Sequence, residues 1–180
     1  MILYMQSNPL SVMKKLLLII DMQEGFRCAE SEAILPNLLK LKKSFKGKIV
    51  FSKFVNYENS LFEKQLNWSK FKRIEDQKIF SELHAANNIK LKHNTYTILN
   101  KELKEFIRDN KITTVYLCGI YTDVSIIKTA MDLFDNGIET FVIKDACSSL
   151  HGKECNNSAM DSIGYILGKK HILLTDDVCS

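Results

Sequence analysis

The sequence predicts an α/β fold built on a parallel sheet. Three observations carry this. Six short apolar runs recur along the chain, each of the length and composition of a strand buried on both faces. Amphipathic segments with helical spacing separate them, and that alternation belongs to right-handed strand–helix–strand crossovers. Only 7 Gly and 2 Pro occur in 180 residues. So few turn residues disfavour a many-stranded barrel or sandwich and favour long helices with few connections.

The elements follow in order. Lys15–Asp21 (KLLLIID) is the first predicted strand and Lys48–Phe54 (KIVFSKF) the second. Between them Ser31–Phe45 places Ile34, Leu38, Leu41 and Phe45 on one helical face. Val55–Lys72 is long and aromatic, and reads as an excursion over the sheet edge or the site. Glu75–Ala86, with Ile79, Phe80 and Leu83, reads as a second helix, and Ile89–His93 as the third and weakest strand. In that strand the period of two puts His93 with Ile89 and Leu91, and Lys90 and Lys92 on the other face. Asn100–Asp109 is a helix, and Thr114–Gly119 (TVYLCG) is the fourth strand. Thr122–Asn136 is a helix capped by Thr122 and stopped by Gly137. Glu139–Ile143 is the fifth strand, Glu154–Leu167 the last helix, and His171–Leu174 the sixth strand.

Composition bounds the function. Residues 1–13 read as a short extension, with Met13 an alternative start, and 14–180 as one domain with ample material for a core. No apolar run approaches the roughly 18 residues of a membrane span. The net charge of +4 is spread rather than gathered into a basic stripe, so neither nucleic acid nor a membrane is the expected partner. Five cysteines lack C-x-x-C spacing, which argues against a disulfide framework or a zinc site and points to a reducing, cytoplasmic setting.

Ligands of such folds bind at the carboxyl ends of strands. Three residues stand out there. Asp21 ends the first strand beside Phe26, where an apolar neighbour suits a proton-carrying carboxylate; an ordinary helix cap is the plainer alternative. His93 ends the third strand, as a base or as a histidine satisfied by the backbone. Ser125 lies in the first turn after the fourth strand, where amides and the helix dipole favour an anionic intermediate; a small packing residue is the alternative. A G-x-G-x-x-G after strand one, a phosphate-binding G-x-x-x-x-G-K-[ST] and a G-x-S-x-G elbow are all missing. A nucleotide cofactor and an ordinary α/β-hydrolase lose weight accordingly.

LLLIIDMQEGF, LKHNTYTILNKEL and VYLCGIYTDVSIIKTAMDLFDNGIETFVIKDACSS, in that order, resemble the three motifs of the isochorismatase-like hydrolases. That superfamily includes nicotinamidases and other cysteine hydrolases. The resemblance implies a three-layer αβα sandwich with a six-stranded parallel sheet and helices on both faces, and usually a homo-oligomer. The family's catalytic set is an aspartate, a lysine and a cysteine. Placed by motif, these fall on Asp21, His93 and Ser125, so two of the three depart from the pattern; Lys92 would serve only if the strand end shifted by one residue. Around them Gln23, Phe26, Trp68, Ile120 and Tyr121 are expected to contact the substrate. The family commonly has a cis peptide four residues before the nucleophile, here Ile120–Tyr121. Nicotinamidases hold a metal with histidines after the second strand, where this chain has none, so neither metal nor other cofactor is expected. Isochorismatases lack the cysteine and use the aspartate as an acid, so the scaffold works without a thiol.

Three readings are open at this point. One is a hydrolase of a small amide, ester or related compound that works through Asp21, His93 and Ser125. In it the histidine accepts the serine's proton. The second is a catalytically degenerate member that binds a small molecule or a protein partner. In the third, the natural residue 125 is a cysteine.

Overall fold

The computed structural model describes residues 14–84 and 89–179. The expected extension, 1–13, lies outside them, as do residues 85 and 86 of the helix expected over 75–86. Six parallel strands form one sheet in the order β3-β2-β1-β4-β5-β6. They are β1 Lys15–Ile20, β2 Lys48–Phe54, β3 Ile89–His93, β4 Thr114–Ile120, β5 Glu139–Ser148 and β6 Ile172–Leu173. The chain starts at the centre, winds outward to β3, and returns to the other side of β1 with β4. The switch point therefore falls between β1 and β4, where α/β sheets open a crevice at their carboxyl ends.

β1 shows why the sequence takes this form. Leu16, Leu17, Leu18, Ile19 and Ile20 are all fully buried, flanked by β2 and β4. A strand covered on both faces needs apolar residues at every position, and burying each such side chain contributes about 1.5–3 kcal/mol. β3 is an edge strand and alternates instead. His93 is buried while Lys90 and Lys92 are exposed, and edge lysines discourage pairing with another chain. The parity expected for His93 over Lys92 is thus the one observed.

Helices cover both faces. α2 (Leu35–Ser44) packs with α7 (Thr175–Cys179), and α5 (Ile127–Asp135) with α6 (Lys153–Leu167). The helix expected over 31–45 is split into α1 (Ala29–Ala33) and α2 at Ile34, because Pro36 suits a first turn and not a helix interior. No α-helix forms at 75–84, where the regular helical structure is a single 3₁₀ turn at Ser81–Leu83. Residues 76–80 instead bond back to the chain after β1, with Gly25 N–H on Asp76 O at 3.0 Å and Phe80 N–H on Met22 O at 3.0 Å. Ile79, Phe80 and Leu83 are buried by this antiparallel strap, so their apolar spacing reflects tertiary burial rather than helical period. α3 (Leu61–Leu66) interrupts the aromatic excursion, capped by Ser60, whose hydroxyl accepts from Glu63 N–H.

Asn100 caps α4 (Lys101–Asp109). Its carbonyl oxygen accepts Leu103 N–H at 3.0 Å, and its amide donates to Lys92 O at 2.8 Å. It thereby fastens a helix start to the strand end that carries His93. Asn100→Ala is expected to cost about 1–2 kcal/mol. Urea unfolding should show a lower midpoint at unchanged slope.

Candidate active site

The site begins where β1 ends. Asp21 takes the left-handed backbone conformation, φ +51°, which aspartate tolerates better than most residues. This turns its side chain away from the strand's alternation and toward the switch-point crevice. Its amide donates to Ser52 Oγ at 3.0 Å, and the Ser52 hydroxyl donates back to Asp21 Oδ1 at 2.5 Å. Ser52 is fully buried in β2, so the loop is held from the neighbouring strand.

His93 completes the cluster. Its Nε2 lies 2.8 Å from Asp21 Oδ1, and its Nδ1 lies 2.8 Å from Thr95 O. A carbonyl only accepts, so Nδ1 carries a hydrogen. Facing the Asp21 carboxylate, Nε2 donates as well when the ring is protonated. Burial alone would push this histidine's pKa down. The Asp21 charge and hydrogen bond, with the Thr95 carbonyl, outweigh burial and raise it. Both ring nitrogens are therefore committed. His93 sits behind Asp21 and is not among the residues lining the cavity, so the expected direct approach of its imidazole to Ser125 is not what this geometry offers. Both contacts to Asp21 fall on Oδ1, which leaves Oδ2 available to the cavity.

Ser125 reaches the cavity from the other side of the crevice. β4 ends at the Ile120–Tyr121 peptide, which is cis. Thr122–Ile126 then forms a wide π turn before α5 begins. Thr122 does not cap it, contrary to expectation: its hydroxyl instead donates to Asn156 Oδ1 at 2.5 Å, tying the turn to α6. Gly137 follows the end of α5 with φ +72°, where a left-handed residue is needed. Asp21 and Ser125 line one cavity of about 270 Å³, with Phe26, Phe54, Phe62, Trp68, Tyr121 and His151 among its walls.

The aromatic excursion both packs and lines. Trp68 stacks on Phe71 at 5.5 Å, and Phe26 meets Phe71 at 3.9 Å and Tyr121 edge-on at 5.4 Å. Burial pushes the Tyr121 phenol up to about 12, so it stays neutral and can donate a hydrogen bond. Two expected substrate contacts are placed elsewhere. Gln23 is fully buried, and its amide is used up on the Phe54 backbone, accepting N–H at 2.7 Å and donating to O at 3.0 Å. It clamps the end of β2 to the loop after β1. Ile120 is buried in the core and is not among the lining residues.

Of the lining residues that the sequence did not single out, the one with acid–base chemistry is a histidine. His151, after β5, places Nδ1 2.6 Å from Asp123 Oδ2. It lies 26 positions after Ser125, beyond a helix and a strand, and no motif marks it; only the course of β5, which runs on to Ser148, brings it to the cavity.

The model of the isochorismatase domain family matches residues 15–168. The chain belongs to the isochorismatase family. Among similar sequences, isochorismatase family protein 2A of Dictyostelium discoideum is 37% identical over 65 residues, 35% of this chain and 32% of that protein. The chain's match spans about a third of the length of such curated relatives. Among solved structures, an isochorismatase-like hydrolase from Alkaliphilus metalliredigens superposes with TM-score 0.82 at 20% identity, over 91% of this chain and 96% of that one. The nicotinamidase of Bacillus subtilis superposes with TM-score 0.78 at 20% identity, over 90% and 99%. At that identity the likeness concerns the fold.

The residues present do not fit the metal of the family's nicotinamidases. The segment after β2 holds Glu58 and Glu63 as its carboxylates and no histidine, and Glu63 pairs with Lys72. Among the described residues no three His, Cys, Asp or Glu side chains cluster as ligands would.

Proposed function

We propose that this isochorismatase-family protein hydrolyses a small amide or ester through Ser125, Asp21 and His93. The observation that carries this reading is that Ser125 and the Asp21 carboxylate face one another's cavity from opposite sides of the switch point. The apolar part of the substrate lies among Phe26, Trp68 and Tyr121, with its carbonyl carbon over Ser125. Ser125 Oγ attacks that carbon, and its proton passes to Asp21 Oδ2. The first-turn amides after β4 hold the negative charge that develops on the carbonyl oxygen. As the tetrahedral intermediate collapses, Asp21 returns the proton to the departing amine or alcohol. His93 acts on Asp21 rather than on Ser125. Its fixed positive charge stabilises the buried carboxylate, the part played by a lysine in the family pattern that the sequence resembles.

Among the described residues the Ser125 hydroxyl has no hydrogen-bond partner, and this favours the second reading, a binder without turnover. A panel of small amides and aryl esters separates the two. Hydrolysis should fall by a factor of about 10³ or more in Ser125→Ala and about 10²–10⁴ in Asp21→Asn. Ser125→Cys should retain turnover. An inert wild type that still binds panel compounds, with Ser125→Ala binding them equally, would establish the binder.

A further inference from the structure

We propose that His151, oriented by Asp123, is the general base that activates water to release the acyl group from Ser125. The inference rests on the reading of Ser125 as nucleophile and extends it to the second half of the reaction.

The cavity is flanked by two Asp–His pairs, and they differ in the two properties that matter. In the Asp21–His93 pair the side chains are 3% and 1% exposed, and both imidazole nitrogens are bonded. In the Asp123–His151 pair the imidazole is 57% exposed. Among the described residues its one hydrogen bond is through Nδ1, at 2.6 Å from Asp123 Oδ2. A carboxylate only accepts, so Nδ1 carries the hydrogen, and Nε2 is the nitrogen left to hold the lone pair of a neutral ring. This is the tautomer a general base needs, and a carboxylate on Nδ1 is the device that selects it. Among the described residues Asp123 Oδ1 is buried without a hydrogen bond, so the Asp123 side chain is held by His151 alone.

Position fits the same role. Asp123 stands two residues before Ser125 on the same turn, and His151 lines the cavity with Ser125. The His151 ring packs against Tyr121 at 5.2 Å, which limits its rotation. Asp21 approaches from β1 and His151 from β5, so the two pairs sit on opposite sides of β4. The buried pair suits the proton of Ser125, which must move in a dry site while substrate fills the cavity. The solvent-facing pair suits water, which must arrive after the leaving group has gone.

The step balances. A water oxygen attacks the carbonyl carbon of acyl-Ser125 and forms a new C–O bond, while Nε2 of His151 takes the water proton. The tetrahedral intermediate collapses, the bond from carbon to Ser125 Oγ breaks, and Nε2–H returns the proton to Oγ. The products are a carboxylic acid and free Ser125, with no change of oxidation state.

Stopped-flow hydrolysis of p-nitrophenyl acetate, with intact-mass and peptide mass spectrometry, tests this. In His151→Gln the nitrophenolate burst, one per site, should keep its wild-type rate constant. The steady rate should fall about 10²-fold or more, and acetyl-Ser125 should accumulate. Asp123→Asn, a change at the positioning residue, should give the same split with a smaller loss of about 10-fold. Asp21→Asn should abolish the burst itself. Because His151 is exposed, its thermal stability is the control for folding and should match wild type. The proposal is overturned if His151→Gln slows the burst as much as the steady rate, or leaves both unchanged. A wild type that never carries acetyl on Ser125 removes the nucleophile reading as well, a different and separately visible failure.

Discussion

His93→Ala should destabilise the protein by about 3–5 kcal/mol, because it removes one partner of a buried ion pair and leaves the other uncompensated. Asp21 is 2% exposed and its Oδ1 would keep only the Ser52 hydroxyl. The loss corresponds to a fall in Tm of about 10 °C for a chain of this size. Hydrolysis should disappear as well, since the Asp21 carboxylate loses the charge that holds it in place. Adding Asp21→Asn to His93→Ala should recover part of the stability, because the unpaired charge is gone, yet none of the activity. A double-mutant cycle in urea reads this directly. If the single and double variants are equally unstable, the pair is not the source of the loss. The pH dependence has a definite sign. The folded-state pKa of His93 is raised above its unfolded value, so the pair's contribution is fully present below about pH 6.5. It is lost as pH rises through the raised folded value. The stability gap between wild type and His93→Ala should therefore narrow on the alkaline side.

The strand set was legible because each strand carries a continuous or alternating apolar run, and parity alone put His93 inside and Lys92 outside. Asp21 and Ser125 could be singled out because a parallel sheet presents the ends of neighbouring strands to one crevice. What failed has physical reasons. Ile79, Phe80 and Leu83 have helical spacing, but a strap bonded to the chain after β1 buries them in extended and 3₁₀ form. Thr122 has the right type for a cap and found a side-chain partner in α6 instead. Gln23 lies beside the site in sequence, yet the backbone of β2 was left with a donor and an acceptor that its amide satisfies. Fold-level reasoning could not foresee that demand, because it arises where two strands end at different heights. His151 was hidden for the opposite reason. A lone histidine in a loop has no pattern, and its partner Asp123 is distant in sequence. The histidine at a strand end attracted the role of a base, although the Asp21 carboxylate and the Thr95 carbonyl occupy both ring nitrogens and, against the effect of burial, raise its pKa.

Gly119→Ala should cost about 3–5 kcal/mol and lower activity by roughly 10²-fold without any side chain in the cavity having been changed. Gly119 lies in β4 opposite Ile20, with φ +111°, a conformation that L side chains rarely adopt. A β-carbon there would stand 2.2 Å from Ile20 O and 2.7 Å from Ile20 N. Those are backbone atoms of the fully buried central strand, so no side-chain rotation relieves the clash. Backbone strain of about 1–3 kcal/mol adds to an overpacking cost of about 1–3 kcal/mol. The only relief is to separate β1 from β4 at their carboxyl ends, one residue before Asp21 and two before Tyr121. That movement widens the crevice between the wall that carries Asp21 and the wall that carries Ser125, and a displacement of about 1 Å is enough to cost roughly 10²-fold in rate. Gly137→Ala is the matched control. Its φ is +72° and an added β-carbon meets nothing within 4 Å. It should lose about 1 kcal/mol through strain alone and keep turnover. Equal stability losses in the two variants would show that strain, rather than the close approach of β1 and β4, dominates at Gly119. Full activity in Gly119→Ala would show that the spacing of the two strand ends does not govern the site.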